Sequence, residues 1–512
     1  MILFTNGSVI DGSGRPAEPL SLLVDDGKIV DVGAVQPSSE MEVCDCSGCI
    51  VAPGFIDVHS HSDLEVLEHR PEKVRQGVTT EVVGNCGFSL FPALPEGPLV
   101  PSFELFARRG THRWPDAASY FDQVEEVGAY TNVASLVGHA TVRANVSGMK
   151  AGAMQPGEMK SAEAHLASCL QQGAIGFSTG LNEVPSSYGD FAELEQLCRV
   201  VRQHNGFYTS HLRDYKFRIL EAVEEALNLG RTTGVPVQLS HLQTVGRKNW
   251  EKMEPVLGLI ERAVADGVDV GIDAYPYLAG SCHLTQFLPT WALEGGTEEL
   301  MKRLALDRTR SQIANETEAG MSNSWSDLLV CGVADSEQPG VAGSRIQEIA
   351  GQWGCSGVDA ALELLLRNRG AVRVISFNQS DENLRKVLSH PLTSVITDGL
   401  VTDGKSHPRT FGTYPTLLGD FVRNRKWFSW EEAVHKASGL PATRFRLSCR
   451  GLLRKGYWAD IVVFDPGSIG TRSSYLEPDT PPEGIVHVMV NGTWVIQEGR
   501  LRERYPGQAL RH

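Results

Sequence analysis

No apolar run in this sequence reaches the roughly 18 residues that a bilayer-spanning helix needs. The N-terminus, MILFTNGSVIDGSG, has no basic stretch leading into an apolar core, so no secretory leader is read there. Basic residues are in deficit: 47 Lys and Arg stand against 62 Asp and Glu, a net charge of −15. Such a balance excludes a general basic surface for nucleic acid or an anionic membrane. It still permits an anionic small molecule held by a few local arginines. Cysteine is sparse, ten residues spread over 512, unlike the dense pattern of a small secreted scaffold. Reduced thiols in a cytoplasm are therefore expected. Cys46-x-x-Cys49, with Cys44 beside it, has zinc-knuckle spacing, but no second pair completes a tetrahedron. The three are read as small buried residues of a β-rich segment.

What is present is ordinary for a globular protein with a sizeable core: 41% hydrophobic and 21% charged residues. Length alone allows about two to four domains, although a (β/α)₈ barrel can take up most of such a chain as one unit. Near the N-terminus, ILFTNGSVIDG and LSLLVDDGKIVDVG alternate apolar and polar positions around Asn-Gly and Asp-Gly turns. ADIVVFDP and VHVMVNGTWVIQEG repeat that pattern near the C-terminus. The two ends are expected to meet in one small β-sandwich formed by residues 1–52 and 446–512. Between them, 53–445 alternates short apolar strands with amphipathic stretches such as RILEAVEEALNLGRTTG, the signature of βα units. Candidate strands are 54–58, 79–84, 132–138, 174–178, 206–210, 235–240, 268–274 and 393–397, with RVISF (373–377) a rival for the eighth. The fold class predicted is α/β, a TIM-like barrel. The gap before the eighth strand is too long for one loop, so residues of about 283–350 are expected to form an inserted subdomain near the barrel mouth.

A barrel of this kind builds its active site at the C-terminal strand ends. Reading just past each candidate strand yields His59 and His61, Cys86, His139, Ser178, His211, His241, Tyr275 and Asp398 in turn. Seven of these nine can ligate a metal. His59-x-His61 is the sharpest local signal, because residues i and i+2 of an extended strand end face the same side. Cys86, within GNCG, reads either as inert packing or, in this company, as a thiolate ligand. His211 and His241 end successive parallel strands and so stand side by side as imidazole ligands. His139 reads equally as a group behind the metal and as a hydrogen-bonded rim histidine. Asp398 is either a carboxylate able to move a proton between water and a leaving nitrogen or a turn-forming Asp-Gly, as Asp403-Gly404 repeats.

Long stretches around these residues resemble the N-acyl-D-amino-acid deacylase (D-aminoacylase) branch of the amidohydrolase superfamily. They are APGFIDVHSHSD (52–63), GVTTEVVGNCGFS (77–89), GAIGFSTGL (173–181), YTSHLRD (208–214), VPVQLSHLQ (235–243), DAYPYLAGS (273–281) and SHPRTFGTYPTLLG (406–419). LPATRF and GYWADIVVFDP extend the likeness towards the C-terminus, and it is weakest over 290–390. The resemblance implies a barrel with a β-sandwich from both termini. It also implies a tight Zn²⁺ site of Cys86, His211 and His241, and a second, weaker one of His59, His61 and Asp398. Asp398 would be the general acid/base in hydrolysing a linear amide, an N-acyl-D-amino acid or related N-acyl compound. The substrate carboxylate would be held by Arg409, Tyr275 and Ser281, with Arg213 a poorer candidate that reads equally as structural. Departures from the family pattern fall at Gln243, where many relatives carry Lys, at Tyr215, at NEVPSSYGD (182–190) and at Cys282. These are expected near the pocket mouth, altering specificity and leaving the chemistry intact. A cyclic-amide hydrolase of the dihydroorotase or hydantoinase kind is the alternative within enzymes. A metal-free binding protein is the alternative outside them, against which six convergent polar groups argue.

Overall fold

In a computed structural model of the chain, residues 1–94, 114–333, 341–402 and 404–512 are described. Eight parallel strands form one sheet in sequence order: β1 (Phe55–Asp57), β2 (Val78–Val83), β3 (Asn132–Gly138), β4 (Gly176–Gly180), β5 (Phe207–His211), β6 (Val237–Leu239), β7 (Val270–Ala274) and β8 (Thr393–Val395). Nearly every residue of these strands is buried, as expected where helices cover one face and the barrel interior fills the other. The helix over Ile219–Thr233 shows how the covering layer is encoded. Ile219, Ala222, Val223, Ala226, Leu227 and Gly230 recur at helical spacing and are buried against the strands, and Gly234 at φ 72° ends the helix.

The barrel closes between β1 and β8 just beyond their C-terminal ends. Ser60 bridges Gly399 in parallel register; the Asp398 amide donates to the His59 carbonyl at 2.8 Å, and the His61 amide to Gly399 at 3.1 Å. Closure is thus made by the same backbone that carries three of the candidate site residues.

The strand between Ile50 and Pro53 leads into the barrel and pairs antiparallel with Ile461–Phe464, so the two chain ends share one six-stranded sheet. A four-stranded sheet from residues 2–45 faces it, and Phe4, Leu22, Ile29, Ile461, Val463 and Met489 pack as a common core. This is the β-sandwich. Cys44 and Cys46 are buried in that core with their Sγ atoms 3.9 Å apart.

The excursion between β7 and β8 is wider than the expected 283–350. Ala279–His283, Leu328–Val333 and Val372–Phe377 form a three-stranded antiparallel sheet. Helices within it contribute to an apolar core of their own, around Leu300, Leu304, Ile349, Leu362 and Leu365. RVISF is therefore not a barrel strand: Val372–Phe377 pairs antiparallel on both sides, with Ala279–His283 and with Leu328–Val333. Residues 334–340 of the excursion, and Asp403, lie outside the described residues. Among the described residues no helix is long and apolar enough to cross a membrane.

Candidate metal centre

The C-terminal rim of β1, β2, β5, β6 and β8 brings six side chains together. His59 and His61 follow β1, and Cys86 follows β2. His211 is the last residue of β5, His241 follows β6, and Asp398 follows β8. Candidate ligand atoms of His59, His61 and Cys86 all lie within 4.8 Å of one another, as do those of Cys86, His211 and His241, and of His59, His241 and Asp398. Cys86 sits between the two ends of the cluster: its Sγ is 3.2 Å from His59 Nε2 and 3.6 Å from His241 Nε2. The thiol therefore lies within reach of both ends of the cluster. Asp398 Oδ1 is 3.1 Å from His61 Nε2 and 3.7 Å from His59 Nε2.

Local backbone geometry makes this convergence possible. Cys86, His241 and Asp398 adopt φ of 53°, 32° and 46°, a left-handed region that costs a non-glycine residue about 1–3 kcal/mol and tends to mark functional positions. The turn carrying Cys86 is pinned by Ser178, whose Oγ accepts from the Gly87 amide at 3.0 Å and donates to the Gly84 carbonyl at 2.5 Å. Ser178 is thus mid-strand, because β4 runs two residues later than expected. Gly180 backs the same turn: a Cβ there would lie 2.2 Å from the Cys86 carbonyl oxygen.

The electrostatics suit a cation. Burial pushes the Cys86 thiol pKa well up and those of His211 and His241 down, His241 to about 4. These two imidazoles are therefore held neutral, the form that can ligate a metal, and the thiol needs a positive neighbour to ionise. Asp398 is held well below the usual carboxylate range: burial opposes its charge, but Arg409, His61, His241 and His59 outweigh that. His211 Nε2 and His241 Nδ1 are buried with no hydrogen-bond partner, which is costly for a polar atom unless something occupies the space. These orphaned nitrogens, with a soft thiol and a carboxylate alongside, fit a zinc-type ion.

A cavity of about 430 Å³ opens on the cluster, lined among others by His61, Cys86, His211, His241, Tyr275, Ser281, Asp398 and Arg409. Arg409 Nη1 pairs with Asp398 Oδ2 at 2.9 Å, and its guanidinium lies 4.5 Å from the Tyr275 ring centroid. The Tyr275 hydroxyl donates to Gln243 Oε1 at 3.3 Å. Arg213 also lines the cavity, but it is bound to Glu225 and to the Ser187 and Gly189 carbonyls. His139 stands away from the cluster, between Ser186 Oγ at 2.6 Å and Glu193 Oε1 at 2.8 Å. Gln243 and Cys282 do line the cavity, as expected of the departures. Tyr215 is deeper than expected: its ring packs edge-on at 5.0 Å against His211 and lies 5.3 Å from His241.

Three residues that matter to this geometry were not singled out from the sequence. Asp273 Oδ1 lies 3.3 Å from His59 Nδ1 and accepts from the His241 amide at 2.6 Å. It is the penultimate residue of β7, in DAYPY, so a strand-end reading widened by two residues from Tyr275 could have found it. Lys73 is buried beneath the rim with Asp57 at 2.6 Å, Ser60 and Thr397, and nothing local announces that. Arg373 lines the cavity from RVISF, weighed only as a rival for the eighth barrel strand.

An α/β barrel whose strand ends converge on a thiol, four imidazoles and a carboxylate defines a metal-dependent hydrolase class. Comparison with known proteins gives the family: residues 42–496 match the amidohydrolase family, and the chain belongs to it. It is 34% identical to a D-aminoacylase of Alcaligenes xylosoxydans xylosoxydans, over 99% of this chain and 97% of that protein. It is 35% identical to an N-acyl-D-glutamate deacylase of the same organism, over 100% of this chain and 96% of the relative. The crystal structure of N-acyl-D-glutamate deacylase from Bordetella bronchiseptica, complexed with zinc and a phosphonate inhibitor mimicking the tetrahedral intermediate, superposes with a TM-score of 0.86. That match is at 34% identity and covers 100% of this chain and 99% of the other.

Proposed function

We propose that this protein is a zinc-dependent amidohydrolase that deacylates N-acyl-D-amino acids or closely related N-acyl compounds. The observation that carries the reading is the convergence of Cys86, His211, His241, His59, His61 and Asp398 on one end of the cavity. Cys86, His211 and His241 would hold the tighter zinc, and His59, His61 and Asp398, with Cys86 in reach, the weaker one. Bound there, zinc supplies Lewis acidity that polarises an amide carbonyl and acidifies water.

The chain's own groups supply the rest. Asp398, ionised and steered by Arg409, accepts a proton from the attacking water at Oδ1 or Oδ2 and returns it to the leaving nitrogen as the C–N bond breaks. Arg409, Tyr275 and Ser281 face the space where the amino-acid carboxylate would lie, and guanidinium donors favour such a group. Asp273 orients the imidazole of His59, a task that ligand-supporting carboxylates commonly perform. The catalytic unit is read as 53–445, with 1–52 and 446–512 as its sandwich. All ten cysteines are free, which supports a reducing, cytoplasmic setting.

The test is hydrolysis of paired N-acetyl-D- and N-acetyl-L-amino acids by zinc-loaded protein, against a chelator-stripped control. Metal-dependent cleavage of the D forms alone is expected. Cleavage of neither, with zinc stoichiometrically bound, would overturn the deacylase reading in favour of larger or cyclic amides. Asp398→Asn is expected to keep zinc and fall below a tenth of wild-type turnover; a variant above that level would refute the acid/base assignment.

A further inference from the structure

The antiparallel sheet of the excursion contributes to the cavity wall, and it presents a buried cation that has no counter-charge among the described residues. Arg373 is only 8% exposed and lines the cavity. Its Nη2 donates to Ser281 Oγ at 3.2 Å, its Nη1 lies 3.3 Å from His283 Nε2, and its Nε has no partner. Register explains the arrangement, since Arg373 pairs directly with His283 and diagonally with Ser281 on one face of the sheet. Both neighbours are neutral: Ser281 is a hydroxyl, and burial with Arg373 beside it pushes His283 down to about 3.

Among the described residues no carboxylate lies within 4 Å of this guanidinium. The acids that line the cavity are engaged elsewhere. Asp398 pairs with Arg409, Asp214 accepts from the Lys216 and Arg218 amides, and Glu183 accepts from Gln286 Nε2. Lys216 adds a second cation on the same lining, its Nζ 5.0 Å from the Phe287 ring centroid. A buried guanidinium is expensive to desolvate unless an anion compensates it, and its forked donors match a carboxylate in two-point fashion. Arg409 already pairs with Asp398 and is proposed for the carboxylate next to the scissile nitrogen; Arg373, bonded to Ser281 from the excursion, adds a second guanidinium beyond it.

We infer that Arg373 is a specificity-determining residue that binds a second carboxylate of the substrate, making the preferred substrate a dicarboxylic N-acyl amino acid. The inference rests on the deacylase reading and refines it. The second carboxylate could sit on the amino-acid side chain or at the far end of the acyl group, and the assay separates the two. Zinc-loaded enzyme is given N-acetyl-D-leucine, N-acetyl-D-glutamate, N-acetyl-D-aspartate and N-succinyl-D-leucine. At least one dicarboxylate is expected to exceed N-acetyl-D-leucine tenfold or more in kcat/KM, and the better arm identifies which end carries the charge.

Arg373→Met, which keeps the aliphatic stem, is expected to remove that advantage while changing N-acetyl-D-leucine less than threefold. Arg373→Lys is expected to retain part of it. Equal losses on neutral and dicarboxylic substrates would overturn the inference, as would a wild-type enzyme that prefers the neutral one. Titration calorimetry with the same four compounds supplies a readout independent of turnover. If none is hydrolysed, the deacylase reading fails. Dicarboxylate binding weakened tenfold by Arg373→Met would then still uphold the anion site, and unchanged binding would reject it.

Discussion

Replacing Lys73 with Met should destabilise the protein more than any surface change and loosen the metal cluster that lies above it. Lys73 is 4% exposed, with its Nζ 2.6 Å from Asp57 Oδ2, 2.7 Å from Ser60 Oγ, 2.6 Å from Thr397 Oγ1 and 3.5 Å from Glu81 Oε2. Burial opposes its charge, yet Asp57 and Glu81 hold its pKa above the ordinary lysine value. Asp57 in turn accepts from the Thr397 amide at 3.0 Å and from its hydroxyl at 2.5 Å. One ammonium therefore clamps the end of β1, which carries His59 and His61, to the end of β8, which carries Asp398. Met fills a similar volume but leaves two buried carboxylates without their cation, a change that costs about 3–5 kcal/mol. Urea unfolding followed by tryptophan fluorescence and by circular dichroism, at fixed zinc, would measure the shift in midpoint. Adding Asp57→Asn to Lys73→Met removes one of the orphaned charges and should recover part of the loss. A single variant within about 1 kcal/mol of wild type would refute the clamp, because no surface-type substitution costs more.

Two further outcomes follow from side chains near the centre. Glu193 is held at about 2, well below its ordinary 4.5: burial works against its charge, but the His139 hydrogen bond and Arg143 Nη1, at 2.5 and 2.6 Å, outweigh it. Burial keeps His139 below the ordinary imidazole range and so neutral at pH 7, leaving Arg143 as the cation. A depressed carboxyl pKa stabilises the fold above pH 4.5, by up to about 3 kcal/mol, and that stabilisation is lost as pH falls towards 2. Glu193→Gln should therefore melt lower at pH 7, with the gap shrinking to under about half by pH 3; a gap independent of pH would contradict the pairing. Gly180→Ala should cost about 1–3 kcal/mol by overpacking, since its methyl would meet the Cys86 carbonyl at 2.2 Å. Chelator competition should then show weaker zinc retention, and unaltered retention would mean the Cys86 turn is not braced from β4.

The barrel and most of its rim were legible because both obey local rules. Each strand is short and almost wholly buried, and the residues after it inherit a place on the rim from topology alone. That suffices to find His59, His61, Cys86, His211, His241 and Asp398 without any tertiary information. What could not be read depends on partners remote in sequence. Lys73 meets Thr397 across 324 positions, and its polarity in an unremarkable EKVRQG gives no hint of burial. His139 is drawn off the cluster by Glu193, 54 residues on. RVISF looked like barrel because a short apolar run has the same appearance in a parallel sheet and an antiparallel one. The left-handed backbone at Cys86, His241 and Asp398 is invisible to composition, as these residue types tolerate many conformations.

That division bears on how chemistry and specificity are distributed. The strand ends carry the six convergent groups of the cluster, and their backbone also closes the barrel through the Asp398–His59 hydrogen bond. A change there would disturb closure and chemistry together, so the rim has little room to vary. The excursion packs around its own apolar core and lines the cavity with residues of its sheet, among them Ser281, Cys282, His283 and Arg373, and of the segment after it, such as Phe287. It can change its cavity-facing side chains without straining the ladder at β1 and β8. Positions expected to depart from the family pattern straddle the boundary: Tyr215 packs edge-on against His211, beside His241, while Cys282 belongs to the excursion. Selectivity for the acyl and amino-acid parts should therefore be movable by substitutions between Ser281 and Arg373 that leave zinc content untouched.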